Sequence, residues 1–283
     1  MYSLNKRSIG NIIFNILKYF SLIFASIVAL VPVVVCVLTA FKTTEEYQST
    51  SPLTLPASFL NFENFKEAWS VANMLIGFRN TGIVLIVVLI LSIFFSGTLA
   101  YVLNRFVFPG RGLINVLFMF ASLIPGIATQ VTVYQIMYNL NLINHLYGYV
   151  IVLCGTDIIS IYIFLQFFEN LPRALDESGI VDGCGYFGVF FRILFPLLQP
   201  AIVTSCVLKG VSIYNEYYMS NLYLTRSELK TISTALYTFT GPYGSQYNYI
   251  CAGVLITIIP ILVLFLICQK QVYGGMAAGA VKG

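Results

Sequence analysis

The chain has 283 residues, 58% hydrophobic and only 9% charged, with a mean hydropathy of +0.86 and a formal net charge of +4. Soluble domains carry about 25% charged residues, so this composition excludes a water-clothed globule and requires a surface that faces lipid. The small positive balance carries no implication of nucleic-acid binding.

The first apolar run, residues 17–40, reads LKYFSLIFASIVALVPVVVCVLTA with one charge, Lys18, at its edge. At 1.5 Å per residue it would make roughly 36 Å of helix, against a hydrocarbon core of about 30 Å. It is too long for the apolar region of a signal peptide, about 7–15 residues, and is expected to stay as the first span. Residues 81–103, 113–138, 146–168, 193–219 and 249–268 form five further continuous runs. Continuous rather than alternating hydrophobicity predicts helices, because backbone polar groups in lipid must be satisfied within each segment. The expected fold is an all-α membrane bundle of six transmembrane helices.

The connections predict orientation. With the N-terminus inside, the inner side carries Lys6, Arg7, Lys18, Arg105, Arg111, Arg173, Arg192, Lys270 and Lys282, and the outer side only Lys42, Lys66, Arg79, Arg226 and Lys230. The excess predicts that both termini are cytoplasmic. Residues 41–80, with Pro52, Pro56 and the only tryptophan, Trp69, and residues 220–248 are then long outer loops. Residues 169–192 form a cytoplasmic loop and 269–283 a cytoplasmic tail; the whole chain reads as one transmembrane domain. Of the six cysteines, Cys184 falls in the inner loop and the others in spans, with no CxxC, so neither a metal nor a disulfide is indicated. The lone His145 sits in a loop and offers no metal site.

The inner loop is patterned. It holds Glu169, Asp176, Glu177 and Asp182 with glycines at 179, 183, 185 and 188, and Leu175, Ile180 and Val181 suggest a short amphipathic helix after Pro172. Gly183 and Gly185 permit a sharp turn. A small, rigid helix and turn at the membrane surface suits the groove of a partner.

Glu177-Ser178-Gly179, then Asp182-Gly183, then Phe190, Ile193 and Pro196, resembles the EAA loop of ABC-importer permeases, with Ser178 and Gly179 where two alanines are usual. Ala100-Tyr101 to Arg105-Phe106, Phe108-Pro109-Gly110-Arg111, Ile124-Pro125, the run from Leu140 to Asn144 and Tyr214-Asn215-Glu216 resemble other segments of that family in order, and the tail Gly279-Ala280-Val281-Lys282-Gly283 is similar to that of its carbohydrate importers. The resemblance implies a type I ABC importer permease for a sugar or oligosaccharide, in the cell membrane, with Asp176, Glu177, Ser178, Gly179, Asp182, Gly183 and Pro196 in ATPase coupling. It also implies an ATPase contact through Gly279, Lys282 and Gly283. The implied partners are a second homologous permease, a dimeric cytoplasmic ATPase and an extracytoplasmic solute-binding protein. No Walker-type GxxxxGK[ST] occurs, so ATP would be bound by the partners and no cofactor is expected in this chain.

Two charges lie within predicted spans, where each costs at least ~2.5–3.5 kcal/mol. Asp157 falls 11 residues past Leu146 and Lys209 falls 10 before Met219, depths of roughly 15–17 Å that permit a pair. They read either as a structural ion pair or as lining of the translocation path, with Lys209 then suited to an anionic sugar. Tyr214, Asn215 and Glu216 at the outer mouth read either as interfacial anchors or as contacts with the binding protein or the substrate path. Other classes remain open: an ion-coupled secondary transporter using Asp157, with broken helices and an internal repeat; an importer permease for a non-sugar solute; or an intramembrane enzyme, which the absence of HExxH, GxSxG and any histidine in a span disfavours.

Overall fold

The computed structural model describes residues 9–155, 157–241 and 244–280. Its helices, in chain order, are α1 (Ile9–Ala40), α2 (Thr44–Ser49), α3 (Glu63–Val71), α4 (Met74–Arg105), α5 (Arg111–Leu123), α6 (Gly126–Asn139), α7 (Leu146–Leu153), α8 (Ile158–Glu169) and α9 (Ala174–Val181). There follow α10 (Tyr186–Leu197), whose central Val189–Leu194 is π-wound, then α11 (Gln199–Tyr214), α12 (Tyr218–Tyr223), α13 (Ile232–Ala235) and α14 (Tyr247–Ala280). A two-residue antiparallel pairing, Thr240–Gly241 with Gly244–Ser245, precedes α14.

Three helical stretches are long and apolar enough to cross a membrane alone: Phe14–Ala40, Met74–Arg105 and Tyr247–Ile267. The other three expected spans are bent pairs. Between α5 and α6 the axis turns by 99° at Ile124-Pro125. Pro125 has no N–H to donate, and Ile124 before it is pushed into extended backbone (ψ 118°). Between α10 and α11 the turn is 75°, with Leu198 at ψ 8° just ahead of Pro200. Between α7 and α8 it is 50°, across residues 154–157. Continuous runs predict helix here, but hydrophobicity does not report a local break.

Three expected boundaries also shift. Residues 41–80 are partly helical: α2 and α3 lie within them, and α4 begins at Met74 rather than 81. The inner loop 169–192 contains α9 and the start of α10. The fifth expected span ends at Tyr214, five residues short of Met219, because Asn215 caps α11 and a turn leads into α12.

The chain divides into two compact units. In the first, the residues up to Ala72 with Leu236–Pro260, the amide of Asn64 closes the end of α1 by donating to the Ala40 and Lys42 carbonyls at 2.8 and 2.7 Å. Asn64 in turn accepts from the Asn248 amide at 3.1 Å. Along α1 from Phe14 to Val34 the apolar side chains are exposed, the expected face of a helix whose solvent is lipid.

The second unit takes Asn73–Ala235 with the residues from Ile261 on. Val84, Val88, Ser92, Ser96 and Ala100 form a buried stripe down α4 at four-residue spacing, which lets one helix face pack against α8 and α11. At one end of the unit, Asn144 in left-handed backbone (φ 59°) accepts from the Thr225 N–H at 2.7 Å. At the other, Ala100, Tyr101, Phe164, Phe168, Val189, Phe190 and Leu194 form the apolar floor beneath α9.

Candidate functional site: a clamped surface helix and an ion pair within the bundle

α9 follows Pro172 and carries Asp176 and Glu177 in its first turn, where acids complement the helix N-terminus. Its other end is a Schellman stop: the Gly183 N–H donates to the Ile180 carbonyl at 3.0 Å and the Cys184 N–H to the Gly179 carbonyl at 2.9 Å. Gly183 has φ +86°, a conformation costly for any residue with a Cβ.

A single guanidinium fastens this helix. Arg105, the last residue of α4, donates through Nε to Asp176 Oδ1 at 3.2 Å, through Nη2 to the Leu171 carbonyl at 3.0 Å, and through Nη1 to the Phe168 carbonyl at 3.4 Å. Its side chain is 8% exposed and that of Asp176 14%. The end of α4, the end of α8 and the first turn of α9 are thereby tied at one point. The side of α9 facing the floor is closed by Gly179. A Cβ built there would lie 2.6 Å from Ile193 Cδ1 and 3.1 Å from Val189 Cγ2. Gly179 thus brings α9 close against the π-wound turn of α10, where any larger side chain must displace Ile193 and Val189. That π segment also leads into Pro196, which lies in the last turn of α10; the Phe195 N–H already bonds back five residues to Phe190.

The opposite side of α9 is open. Glu177, Ser178 and Asp182 are exposed, beside exposed Ile180, Tyr186, Phe187 and Val181, the last at 85%. Asp176, expected to face a partner together with Glu177 and Asp182, points inward instead, since its carboxylate is committed to Arg105.

Within the bundle, Asp157 stands in the break between α7 and α8. It is the N-cap of α8, its Oδ1 accepting from the Ser160 N–H at 3.3 Å. Its Oδ2 accepts from the hydroxyls of Ser92 and Ser160, both at 2.8 Å, and lies 3.8 Å from Lys209 Nζ. The two charges singled out in the sequence do meet. The break leaves backbone N–H groups without helical partners, and a carboxylate answers them. Asp157, Ser92 and Ser96, with Phe95, Leu99 and Ile161, line a cavity of about 170 Å³. A larger cavity of about 410 Å³ is lined by Asn104, Arg111, Asn115, Tyr162, Gln166 and Glu169. Their amide, phenol and ionic groups can donate to and accept from a polyhydroxylated solute. No sequence motif marks that cavity, because its residues come from three helices.

Residues 93–269 match the model of a protein family described as the binding-protein-dependent transport system inner membrane component. The chain belongs to that family. This inner membrane component is 30% identical over 262 residues to the arabinooligosaccharides transport system permease protein AraQ of Halalkalibacterium halodurans, covering 92% of this chain and 94% of the relative. It is 29% identical over 255 residues to the melibiose/raffinose/stachyose import permease protein MelC of Bacillus subtilis, covering 89% and 91%. With the maltodextrin transport system permease protein MalD of Streptococcus pneumoniae it shares 27% identity over 270 residues, covering 94% and 95%. Among solved structures, a chain of a bacterial ABC transporter involved in the import of the acidic polysaccharide alginate superposes with a TM-score of 0.82 at 18% identity, covering 93% of this chain and 98% of that one. The fold is thus the all-helical one of type I ABC permeases, and the inner membrane component is a multi-pass membrane protein.

The remaining expected residues of this component are dispersed. Asn215 caps α11, its side-chain amide donating to the Val211 carbonyl at 3.0 Å. Glu216 Oε1 accepts from the Met219 N–H at 2.9 Å and its backbone carbonyl from Ser233 at 2.8 Å. With Tyr214 they build the turn from α11 to α12 and are not among the residues lining the Asp157 cavity. Gly279 lies in the last described turn of α14, and Lys282 and Gly283 lie outside the described residues. The sequence reading missed Arg105 and Ser92 as site residues. Arg105 is separated from Asp176 by 71 positions and Ser92 from Asp157 by 65, and no local pattern announces such a pairing.

Proposed function

We propose that the chain is a permease subunit of an ATP-driven, binding-protein-dependent importer that moves a sugar or oligosaccharide across the cell membrane. The observation that carries this reading is α9: a short helix fixed from beneath by Arg105 and Gly179, and open on its outer side. A force applied to such a helix is transmitted to α4 and α8 rather than absorbed by local bending. In the proposed assembly α9 seats in a cleft of a separate ATPase dimer. Glu177, Ser178 and Asp182 would supply polar contacts there, with Ile180, Val181 and Phe187 as the apolar part of the seat. A second, homologous permease would complete the path, and an extracytoplasmic binding protein would deliver the solute. Each bent pair counts as one span, giving six, with both termini on the cytoplasmic side, as the lysine and arginine placement favours. Gly279, Lys282 and Gly283 keep their proposed contact with the ATPase.

The oligosaccharide names borne by the relatives support the substrate class. Lys209 is answered by Asp157, so this pair presents no uncompensated cation to an acidic sugar. A structural ion pair beside a neutral path is the reading we adopt. The broken spans do not favour an ion-coupled carrier, because two of the breaks have a local cause in Pro125 and in Pro200.

The test is reconstitution of the complete complex in vesicles. Uptake should require ATP and a hydrolysis-competent ATPase, and K209L should leave discrimination between neutral and uronic oligosaccharides unchanged. Uptake by this permease in vesicles lacking the ATPase, or uptake that stops only when an ion gradient is collapsed, defeats the reading.

A further inference from the structure

The connection between α1 and α3 is built unlike a solvated loop. Residues 50–62, TSPLTLPASFLNF, contain no Asp, Glu, Lys, Arg or His, although Glu45, Glu46, Glu63, Lys66 and Glu67 crowd both sides of them. The segment is irregular, yet it is held firmly. Lys42, fully buried just past the end of α1, donates its ammonium to the Ser51 carbonyl at 2.6 Å and to Thr50 Oγ1 at 3.1 Å. Glu46 closes a capping box with Thr43 and with its second oxygen accepts from the Ala57 N–H at 3.0 Å. The rings of Phe59 and Phe62 stand 5.6 and 5.7 Å from that of Phe41, the residue that follows α1.

This scaffold fixes the segment at the level where α1 ends. Held there, it turns apolar groups outward: Leu53, Leu55, Phe59, Leu60 and Phe62 are exposed, Leu55 at 70% and Leu60 at 81%. Five large apolar side chains left exposed within ten residues mark an interaction site. What covers it follows from its position. Lys42 and Phe41 hold it just past the end of α1, whose apolar side chains are exposed from Phe14 to Val34, and so near the depth at which a membrane-spanning helix leaves the hydrocarbon. Leu and aromatic side chains at that depth partition into the boundary between headgroups and acyl chains. The absence of charge within the segment fits insertion without reliance on anionic lipid.

We infer that residues 50–62 form an interfacial anchor whose Leu55, Leu60 and Phe62 side chains enter the leaflet at the C-terminal end of α1. The anchor fixes the height of that end of the helix in the bilayer whatever solute is carried.

Trp69 is the only tryptophan in the chain, which gives a clean optical test. L60W and, separately, E45W are placed in a W69F background. The complete transporter is then reconstituted in phosphatidylcholine vesicles whose acyl chains are brominated close to the headgroup. The L60W emission should fall about two-fold relative to unbrominated vesicles, as expected of a side chain in the interfacial layer, and should not recover in high salt. The E45W emission should change little. L55W in the same background reads the same surface from a second position, so misassembly of one variant is distinguished from absence of contact. Quenching at residues 55 and 60 no greater than at residue 45 overturns the inference. So does emission that ignores the brominated lipid and responds instead to an added solute-binding protein, which would make the segment a protein-docking surface.

Discussion

Arg105 shows how much one side chain decides. Its partners include a carboxylate, two backbone carbonyls and the side-chain oxygen of Asn104, and both members of the ion pair are largely buried. Removing one partner of such a pair leaves the other charged and unsatisfied, at about 3–5 kcal/mol. R105A is expected to lower the thermal stability of the detergent-purified chain by that order. R105A/D176A should be milder than R105A alone, because no uncompensated charge remains. Equal losses in the single and double variants would show that the pair carries no energy. Glu46 offers a second test at this scale. The Thr43 amide, and next the Ala57 amide, hold its carboxyl below the ordinary value of 4.5. A carboxylate with a lowered folded pKa contributes stability above its unfolded pKa and loses it as pH falls through the lowered value. Hydrogen-exchange protection of the Ala57 amide should therefore persist through the ordinary glutamate range and vanish only at more acid pH. E46Q should remove that pH dependence.

Elements here are shaped by their ends and breaks more than by their hydrophobicity. Ala would raise the intrinsic helix propensity of α9 at Gly179 by about 1 kcal/mol, yet its methyl meets Ile193 and Val189. Ile193 Cδ1 is the far end of a flexible chain and can turn aside, so G179A should be tolerated. G179V, with two further carbons and a β-branch, should displace α9 from α10 and uncouple ATP hydrolysis from uptake while the chain still reaches the membrane. Wild-type coupling in G179V would remove the packing argument. The break between α7 and α8 makes a parallel case. D157A removes an N-cap worth about 1 kcal/mol and also strands Lys209 without its counter-ion. K209L leaves Asp157 with its serine donors. Assembly yield and melting temperature should therefore fall more for D157A than for K209L, and D157A/K209L should recover part of the loss. Were K209L the worse variant, the lysine would be the element under constraint rather than the cap.

For the whole molecule, the open side of α9 is where the motor of the proposed importer would engage. V181D places a charge on the most exposed apolar side chain of that surface and touches nothing in the floor below. It should abolish ATP-dependent uptake and the stimulation of ATPase activity by the permease, with membrane level and melting temperature unchanged. Retained coupling in V181D would place the motor's contact elsewhere.

The sequence by itself determined that the protein lives in lipid, that it is all-helical with several long apolar runs, and that the stretch around Glu177 is a turn-bounded surface helix. These are matters of composition, run length and local glycine and proline chemistry, all of which act over a few residues. It also marked Asp157 and Lys209, since a charge in an apolar run is conspicuous without any structure. Tertiary structure decided the rest. Only it could show that three of the apolar runs are bent helix pairs, because a hydropathy run counts carbon and not backbone direction. Only it could turn Asp176 inward onto Arg105, bring Gly179 against Ile193 and Val189, and set the leucines of residues 50–62 facing out at the level where α1 ends. Each of these depends on groups distant in the chain meeting in space, where the cost of an unpaired charge, a colliding methyl or an uncovered apolar surface is settled.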